Sequence, residues 1–294
     1  MGRSKHPNLL AIFLTILMND RTQQVISFTD PDSIESGAGS QLMITDESPL
    51  KGASGSRADY GSDYLEWKHW APENFGRLCA RESADFAALL RKARVNLPQG
   101  ATVLEIGFGN GAFLEFGRRR GWQMHGTEVN PGLLECARQN GFVVTEAETL
   151  EPFPSQSFAM VAAFDVMEHI PLEALPGFLS GVRRVLKPGG YFVARFPNGD
   201  SPFGRHIQNG DVTHKTTIGS IRARYLAMKA CLEVVFLGCE VQAIWAGHAY
   251  TGHRLFAVPV RKLMNAFFNL VFSPRDPLPF CSPNLELVLR KPNS

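Results

Sequence analysis

The sequence predicts an α/β domain on an open, mostly parallel, doubly wound sheet, and three observations carry that prediction. From residue 102 to residue 195, short β-branched and apolar runs alternate with segments of helical period, the pattern that buries parallel strands between two layers of helices. Proline and glycine fall at element ends, with Pro131 in a first helical turn and Lys187-Pro-Gly-Gly190 between a helix and the next strand. The first apolar run breaks into three alternating glycines, Gly107, Gly109 and Gly111. Such a strand-to-helix turn lets backbone lie close to a ligand at a helix N-terminus, with the turn N–H groups facing it.

The elements follow in chain order. Residues 1–59 read as an N-terminal extension. Arg3 and Lys5 precede the apolar run Leu9 to Met18, which has signal-peptide length but is too short to span a bilayer as a helix. Asn19-Asp20-Arg21 follows without a small-residue cleavage site. The run is therefore expected to be a short buried or membrane-touching helix, or an extension with no folded role. Residues 30–60, rich in Ser, Gly, Asp and Pro, read as a linker. Folded structure is expected from Tyr60, where an aromatic patch runs to Trp70 and a helix over 81–95 carries Phe86, Leu89, Leu90 and Val95 at helical spacing. This makes residues 60–98 a helical cap.

The core, residues 99–198, contains strands at 102–106, 123–127, 143–145, 160–164 and 191–195, with helices at 112–119, 131–139 and 172–185. Beyond Asn198 come a glycine- and proline-containing loop, a helix at 218–230, a strand at 232–237, a basic helical region at 254–272 and a final strand at 285–289. These make seven strands.

Composition narrows the partners. The net charge is only +2, and Arg118-Arg119-Arg120 stands at a helix C-terminus, where cations complement the backbone dipole. No basic face interleaved with aromatics marks a nucleic-acid partner. The five cysteines are scattered without paired spacing, as expected of reduced thiols in a cytoplasmic protein, and no metal-like cluster stands out.

By spacing alone the glycine turn is ambiguous, because Gly107-x-Gly109-x-x-Ala112 with Glu128 downstream also fits a dinucleotide fingerprint. Its surroundings are more specific: Glu105 before the turn, Gly126-Thr-Glu128-Val-Asn130, Phe164-Asp-Val-Met-Glu-His169 and Arg184-Val-Leu-Lys-Pro-Gly-Gly190. In this order and spacing the stretch from Val103 to Asn198 resembles the class I S-adenosylmethionine-dependent methyltransferases. The resemblance implies a Rossmann-like sheet whose last strand is antiparallel, and S-adenosyl-L-methionine as cofactor. Within that family the Phe-Asp-x-x-Glu-His and Lys-Pro-Gly-Gly neighbours are similar to quinone-type O-methyltransferases and to enzymes of cell-surface polysaccharide assembly. Gly210-Asp211-x-x-His214 points to the second group. A hydroxyl of a small molecule or glycan is the expected acceptor; no Asn-Pro-Pro-Tyr or Asp-Pro-Pro-Tyr motif follows the fourth strand to suggest Asn-directed chemistry.

The resemblance also distributes roles along the strand ends. Gly107, Phe108, Gly109, Asn110 and Gly111 would line the cofactor. Glu105 would accept its ammonium or brace the turn. Glu128, with Val129 and Asn130 beside it, would accept two ribose hydroxyls or remain a solvated strand-end acid. Glu146 and Ala147 would meet the adenine, and Asp165 and Val166 would lie beside the sulfonium. His169 is the candidate general base, since imidazole titrates near neutrality, or else a histidine that shapes the pocket. Asp211 and His214 would form an acid-oriented base pair, or an Asx turn with a surface histidine; two ligands are too few to assign a metal. Tyr64, Trp67, Lys68 and Trp70 would form an aromatic lid over the methionine end of the cofactor or the acceptor, with Tyr64, Trp67 and Lys68 singled out as contacts, or pack the cap. Residues 199–294 then make the acceptor side. A nicotinamide oxidoreductase on the same turn is the alternative; it would need a pyrophosphate-tuned turn and a downstream constellation such as a Tyr-x-x-x-Lys pair. A non-catalytic relative that only binds cofactor is the third reading. No stable membrane insertion is expected, though the N-terminal run allows peripheral contact.

Overall fold

The protein is described by a computed structural model over residues 62–293. The expectations for the apolar run at Leu9 to Met18 and for the linker lie outside the described residues.

The cap contributes α1 (Ser62–Trp67), a 3-10 turn (Pro72–Asn74) and α2 (Ala80–Lys92). The core follows as β1 (Thr102–Ile106), α3 (Ala112–Arg119), β2 (Gln123–Glu128), α4 (Pro131–Gln139), β3 (Val143–Glu146), β4 (Phe158–Phe164), a 3-10 turn (Met167–His169), α5 (Leu175–Val185) and β5 (Leu186–Pro197). A 3-10 turn (Pro202–Gly204), α6 (Arg205–Gly210), α7 (Ser220–Lys229), β6 (Glu233–Cys239), α8 (His248–Phe272) and β7 (Asn284–Arg290) complete the described chain. The seven strands form one sheet in the order β3-β2-β1-β4-β5-β7-β6. The last strand, β7, is antiparallel to both β5 and β6 and lies between them.

Side-chain alternation divides the core. Val103, Met160, Ala162 and Val193 face the layer of α2, α3 and α4, while Leu104, Val161, Ala163, Phe192 and Ala194 face α5 and α7. Both faces of the central strands are thus covered, as a parallel sheet requires. An aromatic knot ties the cap to the sheet: the Phe86 ring of α2 lies 5.0 Å from Phe164 at the end of β4, and Phe113 of α3 lies 4.9 Å from the same ring. α2 begins with a reciprocal cap, in which the Cys79 thiol accepts from the Glu82 N–H and the Glu82 carboxylate accepts from the Cys79 N–H.

Several elements differ in extent from their sequence reading. α2 ends at Lys92 rather than 95, and β5 starts at Leu186, so Lys187-Pro-Gly-Gly190 lies within the strand and not ahead of it. α8 starts at His248 rather than 254, because Thr251 turns its hydroxyl onto the Gly247 carbonyl at 2.8 Å and carries the helix back through Gly252. α5 begins at Leu175, after a turn opened by Pro171 whose carbonyl accepts from the Ala174 N–H at 2.9 Å. The strand order reverses between β1 and β4, and at such a switch point the loops leaving the carboxyl ends open a crevice.

Candidate active site

The glycine turn after β1 has left-handed backbone throughout, with φ of +62° at Gly107, +51° at Gly109 and +73° at Gly111. Space is as restrictive as conformation. A Cβ at Gly107 would meet Val166 Cγ2 at 2.8 Å, one at Gly109 would meet Trp70 Cη2 at 2.7 Å, and one at Gly111 would meet Phe75 Cζ at 2.6 Å. The cap therefore rests on the turn through Trp70, one of the lid aromatics of the sequence reading, and through Phe75, which that reading did not name. Asn110 joins it: its amide donates to the Asn74 carbonyl at 3.0 Å and its carbonyl accepts from Gly76 N–H at 2.7 Å. Phe108 is buried and edge-on to Phe75.

One expectation about the turn is corrected. The N–H groups of Gly107 and Phe108 both donate to the Thr127 carbonyl, at 2.8 and 3.3 Å, and that of Gly109 donates to Glu128 Oε2 at 3.1 Å. They face β2 and not the crevice, because Ile106 pairs with Thr127 in register and the end of β2 lies level with the turn.

Glu105, on β1, is buried. One side of its carboxylate accepts from the Leu114 N–H in the first turn of α3, while Oε2 is buried with no hydrogen-bond partner. Burial raises its pKa well above the carboxylate range, helped by the nearby Glu128 charge. A buried oxygen of this kind is a ready acceptor for a ligand cation. Glu128 ends β2 and also accepts from Val129 N–H at 2.8 Å and Asn130 N–H at 3.2 Å. Burial raises its pKa against those backbone donors. The Asn130 side chain caps α4 by accepting from Leu133 N–H at 3.1 Å. Glu146 pairs in register with Glu128, so the ends of β2 and β3 align, with Ala147 next in the chain.

The loop after β4 starts at Asp165, whose φ is +55°. Its carboxylate holds the Arg195 guanidinium of β5, with Arg195 Nε at 3.1 Å from Oδ1 and Nη2 on Oδ2. The 3-10 turn then presents Glu168 and His169. The Glu168 carbonyl accepts from the N–H groups of Lys215 and Thr216, at 2.8 and 2.9 Å, which pins the loop after α6 to the end of β4.

That pinning assembles a relay. Thr213 Oγ1 lies 2.9 Å from His169 Nδ1 and donates to Asp211 Oδ1 at 2.5 Å. Since the hydroxyl proton goes to the carboxylate, the ring must donate to the hydroxyl, which fixes the Nδ1–H tautomer and leaves Nε2 with the basic lone pair. Asp211 Oδ2 receives Lys68 Nζ at 3.0 Å and the Tyr64 hydroxyl at 3.3 Å. Two groups of sequence candidates from opposite ends of the chain thus meet at one carboxylate. Trp67 is half exposed beneath the Lys68 ammonium, 4.7 Å from its ring centre.

The pairing expected between Asp211 and His214 is different in detail. His214 Nδ1 donates to the Gln208 carbonyl at 3.1 Å, so a backbone acceptor sets its tautomer. Its Nε2 lies 3.7 Å from Asp211 Oδ2 and 3.9 Å from Glu168 Oε1, beyond hydrogen-bond range. Asp211 orients His169, through Thr213, instead. The two imidazoles meet edge to face at 4.7 Å.

The electrostatics follow the burial. His169 is pushed down to about 4 by burial and by His214, against the opposing pull of Asp211. Burial lowers His214 as well. Burial alone would raise Asp211, but the Thr213 hydroxyl and amide together with Lys68 hold it well below the usual carboxylate range. Burial and the Asp165 charge push Glu168 well up, and its Oε2 is buried without a hydrogen-bond partner.

A cavity of about 500 Å³ opens beyond β5, lined by Asn198, Asp200, Arg205, Gln208, Asn209 and Thr217 among others. Gln208 both lines it and holds His214. Glu168, His169 and His214 each offer one ligand atom within 4.8 Å of the others, and Lys68 brings a cation to the same cluster through Asp211. The oxidoreductase spacing Tyr-x-x-x-Lys occurs at Tyr64/Lys68 and Tyr225/Lys229. The first pair precedes the glycine turn and engages Asp211; in the second, on α7, Tyr225 is exposed and Lys229 lies over its ring. Of the two residues that complete the cluster, Glu168 is already a fixed position of the Phe-Asp-x-x-Glu-His motif, whereas Thr213 falls on an unspecified position of Gly210-Asp211-x-x-His214 and only its adjacency to singled-out residues signalled it.

Comparison with known proteins agrees with this geometry. Residues 104–194 match the family model described as "Methyltransferase domain". An uncharacterized methyltransferase of Mycobacterium sp. (strain KMS) is 32% identical over 135 residues, covering 45% of this chain and 53% of that protein. A ubiquinone biosynthesis O-methyltransferase of Xanthomonas oryzae pv. oryzae (strain PXO99A) is 32% identical over 106 residues, covering 33% of this chain and 43% of its own. The chain thus spans about half the length of these curated relatives. Among solved structures, a SAM dependent methyltransferase from Archaeoglobus fulgidus superposes with a TM-score of 0.55 at 19% identity, covering 79% of this chain and all of that one. The overall architecture is that Rossmann-like fold.

Proposed function

We propose that this chain is a methyltransferase that uses S-adenosylmethionine and moves its methyl group to a hydroxyl of a small molecule or cell-surface glycan. The observation that carries the hydroxyl reading is the relay from His169 through Thr213 to Asp211, which holds a neutral imidazole with its basic nitrogen defined. The match over residues 104–194 supports methyl transfer.

The cofactor fits the residues present. Glu105 Oε2, buried without a partner beside the glycine turn, suits an ammonium group. The turn has no room for a Cβ, and Glu128, at the carboxyl end of β2, would receive two ribose hydroxyls. Glu146 and Ala147, aligned with Glu128, would meet the base. When bound, S-adenosylmethionine supplies a methyl carbon already activated by positive sulfur. The chain's own residues then orient and deprotonate the acceptor. Val166, packed on Gly107, closes the crevice on the side of β4. Asp165 contributes through its left-handed backbone, since its carboxylate is engaged by Arg195. Nε2 of His169 takes the acceptor's proton, and Asp211, already low in pKa, stabilises the resulting imidazolium across the Thr213 hydroxyl. Lys68 keeps Asp211 ionised throughout. Alignment alone can lower such a barrier by up to about 7–11 kcal/mol.

The neighbouring cavity, joined to the relay histidines through Gln208, has a polar lining with Asp200, Arg205 and Asn209, which supports an acceptor with several hydroxyls, the chemistry of a sugar. Labelled-methyl transfer tested in parallel on glycans, quinols and phenols checks this. Label on a sugar hydroxyl is expected. Tight NAD(H) binding without S-adenosylhomocysteine binding would overturn the cofactor reading.

A further inference from the structure

α8 is built the wrong way round for a helix of a protein in water. Three of its polar side chains, Arg254, Asn265 and Asn269, point inward. The Arg254 guanidinium makes two 2.7 Å contacts to the Asp85 carboxylate of α2 and one to the Ala243 carbonyl. Asn269 exchanges two hydrogen bonds with the backbone of Leu278, and Asn265 accepts from Cys281 N–H at 3.1 Å. Arg254 and Asn269 are buried. The apolar side chains point outward: Leu255, Phe256, Leu263, Phe267, Leu270 and Phe272 are all more than half exposed. An amphipathic surface helix ordinarily does the reverse, and so large a contiguous apolar face marks a contact with something apolar.

We propose that this outward face docks the protein on an anionic lipid bilayer, with α8 lying flat in the interface. Charge identifies the occupant. Residues 241–275 contain Arg254, Arg261, Lys262 and Arg275 and no Asp or Glu, with Glu240 and Asp276 flanking them. Lys92, Arg261 and Lys262 gather in one cavity beside α8 with Glu240 as the acid of its lining, so the border of the apolar face is net positive. A second copy of the chain, meeting this face symmetrically, would bring the same cations to the contact, whereas anionic headgroups neutralise them. Aromatics stand where an interface would receive them, with Trp245 and Tyr250 exposed at the start of the helix. An 18-residue window within Tyr250–Phe272 has a mean hydropathy of 1.3. It is fixed along the domain by Arg254, Asn265 and Asn269, so it lies on the bilayer surface and does not cross it.

This inference is independent of the methyl-transfer reading. It also gives the carboxyl edge of the sheet a location, because β6 runs parallel to β5 through their shared antiparallel partner β7 and leads at its carboxyl end into residues 240–247 and α8.

The test is flotation of the full-length protein with phosphatidylcholine vesicles containing about 30% phosphatidylglycerol and with pure phosphatidylcholine vesicles. Preferential flotation with the anionic vesicles is expected, weakening as salt rises. The double substitution Phe267→Glu with Leu270→Glu should reduce it about tenfold or more, with circular dichroism and melting temperature unchanged because both side chains are already in water. Leu14→Glu with Leu17→Glu, in the N-terminal apolar run, should leave flotation largely in place. Loss of flotation with those N-terminal changes and not with the α8 changes would overturn the proposal. So would a wild-type chain that ignores both vesicle types and sediments as a dimer split by Phe267→Glu.

Discussion

Thr213 Oγ1 sits between His169 Nδ1 and the Asp211 carboxylate, 2.9 Å from the first and 2.5 Å from the second. A hydroxyl, and not a carboxylate, is therefore the immediate partner of the candidate base. Thr213→Val removes the link and keeps the shape. Turnover should fall about 10- to 100-fold with the cofactor dissociation constant unchanged, while Thr213→Ser keeps most activity. Steady-state kinetics beside S-adenosylhomocysteine titration decides it; a fully active valine variant would remove the relay from the mechanism.

The histidine dictates the pH dependence. Its pKa is lowered from 6.5 to about 4, so the imidazole is neutral at pH 7 and becomes protonated only as pH falls towards 4. The kcat/KM profile should show no acidic limb near 6.5, with the loss appearing at the lower value. Folding stability carries the same sign: the unfolded chain binds this proton at about 6.5 and the folded one does not, so stability drops as pH falls between the two values. His169→Asn should flatten that part of the melting-temperature profile.

Glu128 braces the fold in addition to the ribose contact proposed for it. Its carboxylate receives three backbone N–H groups, from Gly109, Val129 and Asn130. Glu128→Ala should weaken S-adenosylhomocysteine binding and lower the ligand-free stability by about 2 kcal/mol, the scale of orphaning buried donors. Calorimetric titration and denaturant unfolding measure the two effects separately. An unaltered dissociation constant would refute the ribose assignment.

Glu105→Gln gives the opposite pattern. The carboxylate is buried with one oxygen unpartnered, so its neutral isostere should leave ligand-free stability equal or higher. Affinity for S-adenosylhomocysteine should drop about tenfold, through loss of a charge-assisted contact to the ammonium. A thermal-shift series with and without the ligand reads both.

Chelation should leave turnover unchanged. Glu168, His169 and His214 stand close enough to share an ion, yet Lys68 Nζ, 3.0 Å from Asp211, already supplies positive charge to this cluster. Activity abolished by EDTA and restored by one divalent metal would replace the relay by a metal site.

The sheet was legible because its signals are local. Period, β-branching and the glycines at 107, 109 and 111 lie within a few residues of what they determine, and Glu105 and Glu128 stand at fixed offsets from that turn. The rest depends on contacts between distant segments. Phe75 reads as nothing more than a cap aromatic until the fold sets it on Gly111, and Trp70, expected in a lid, instead packs on Gly109. Nothing in the spacing of Asp211 and His214 shows that a backbone carbonyl takes the His214 proton and that Thr213 hands Asp211 to a different histidine. The helix over 254–272 was expected from its period, but which face looks inward is decided by Asp85, far away on α2.

The distance along the chain between the two sides of the site also has a kinetic meaning. Tyr64 and Asp211 are 147 residues apart, with all five consecutive parallel strands between them. Closing so long a loop is costly in chain entropy until the intervening strands have shortened it. The Lys68 and Tyr64 contacts to Asp211 should accordingly be among the last to form in folding and the first to open, so proteolysis or hydrogen exchange would report loss of the acceptor side before any loosening of the sheet.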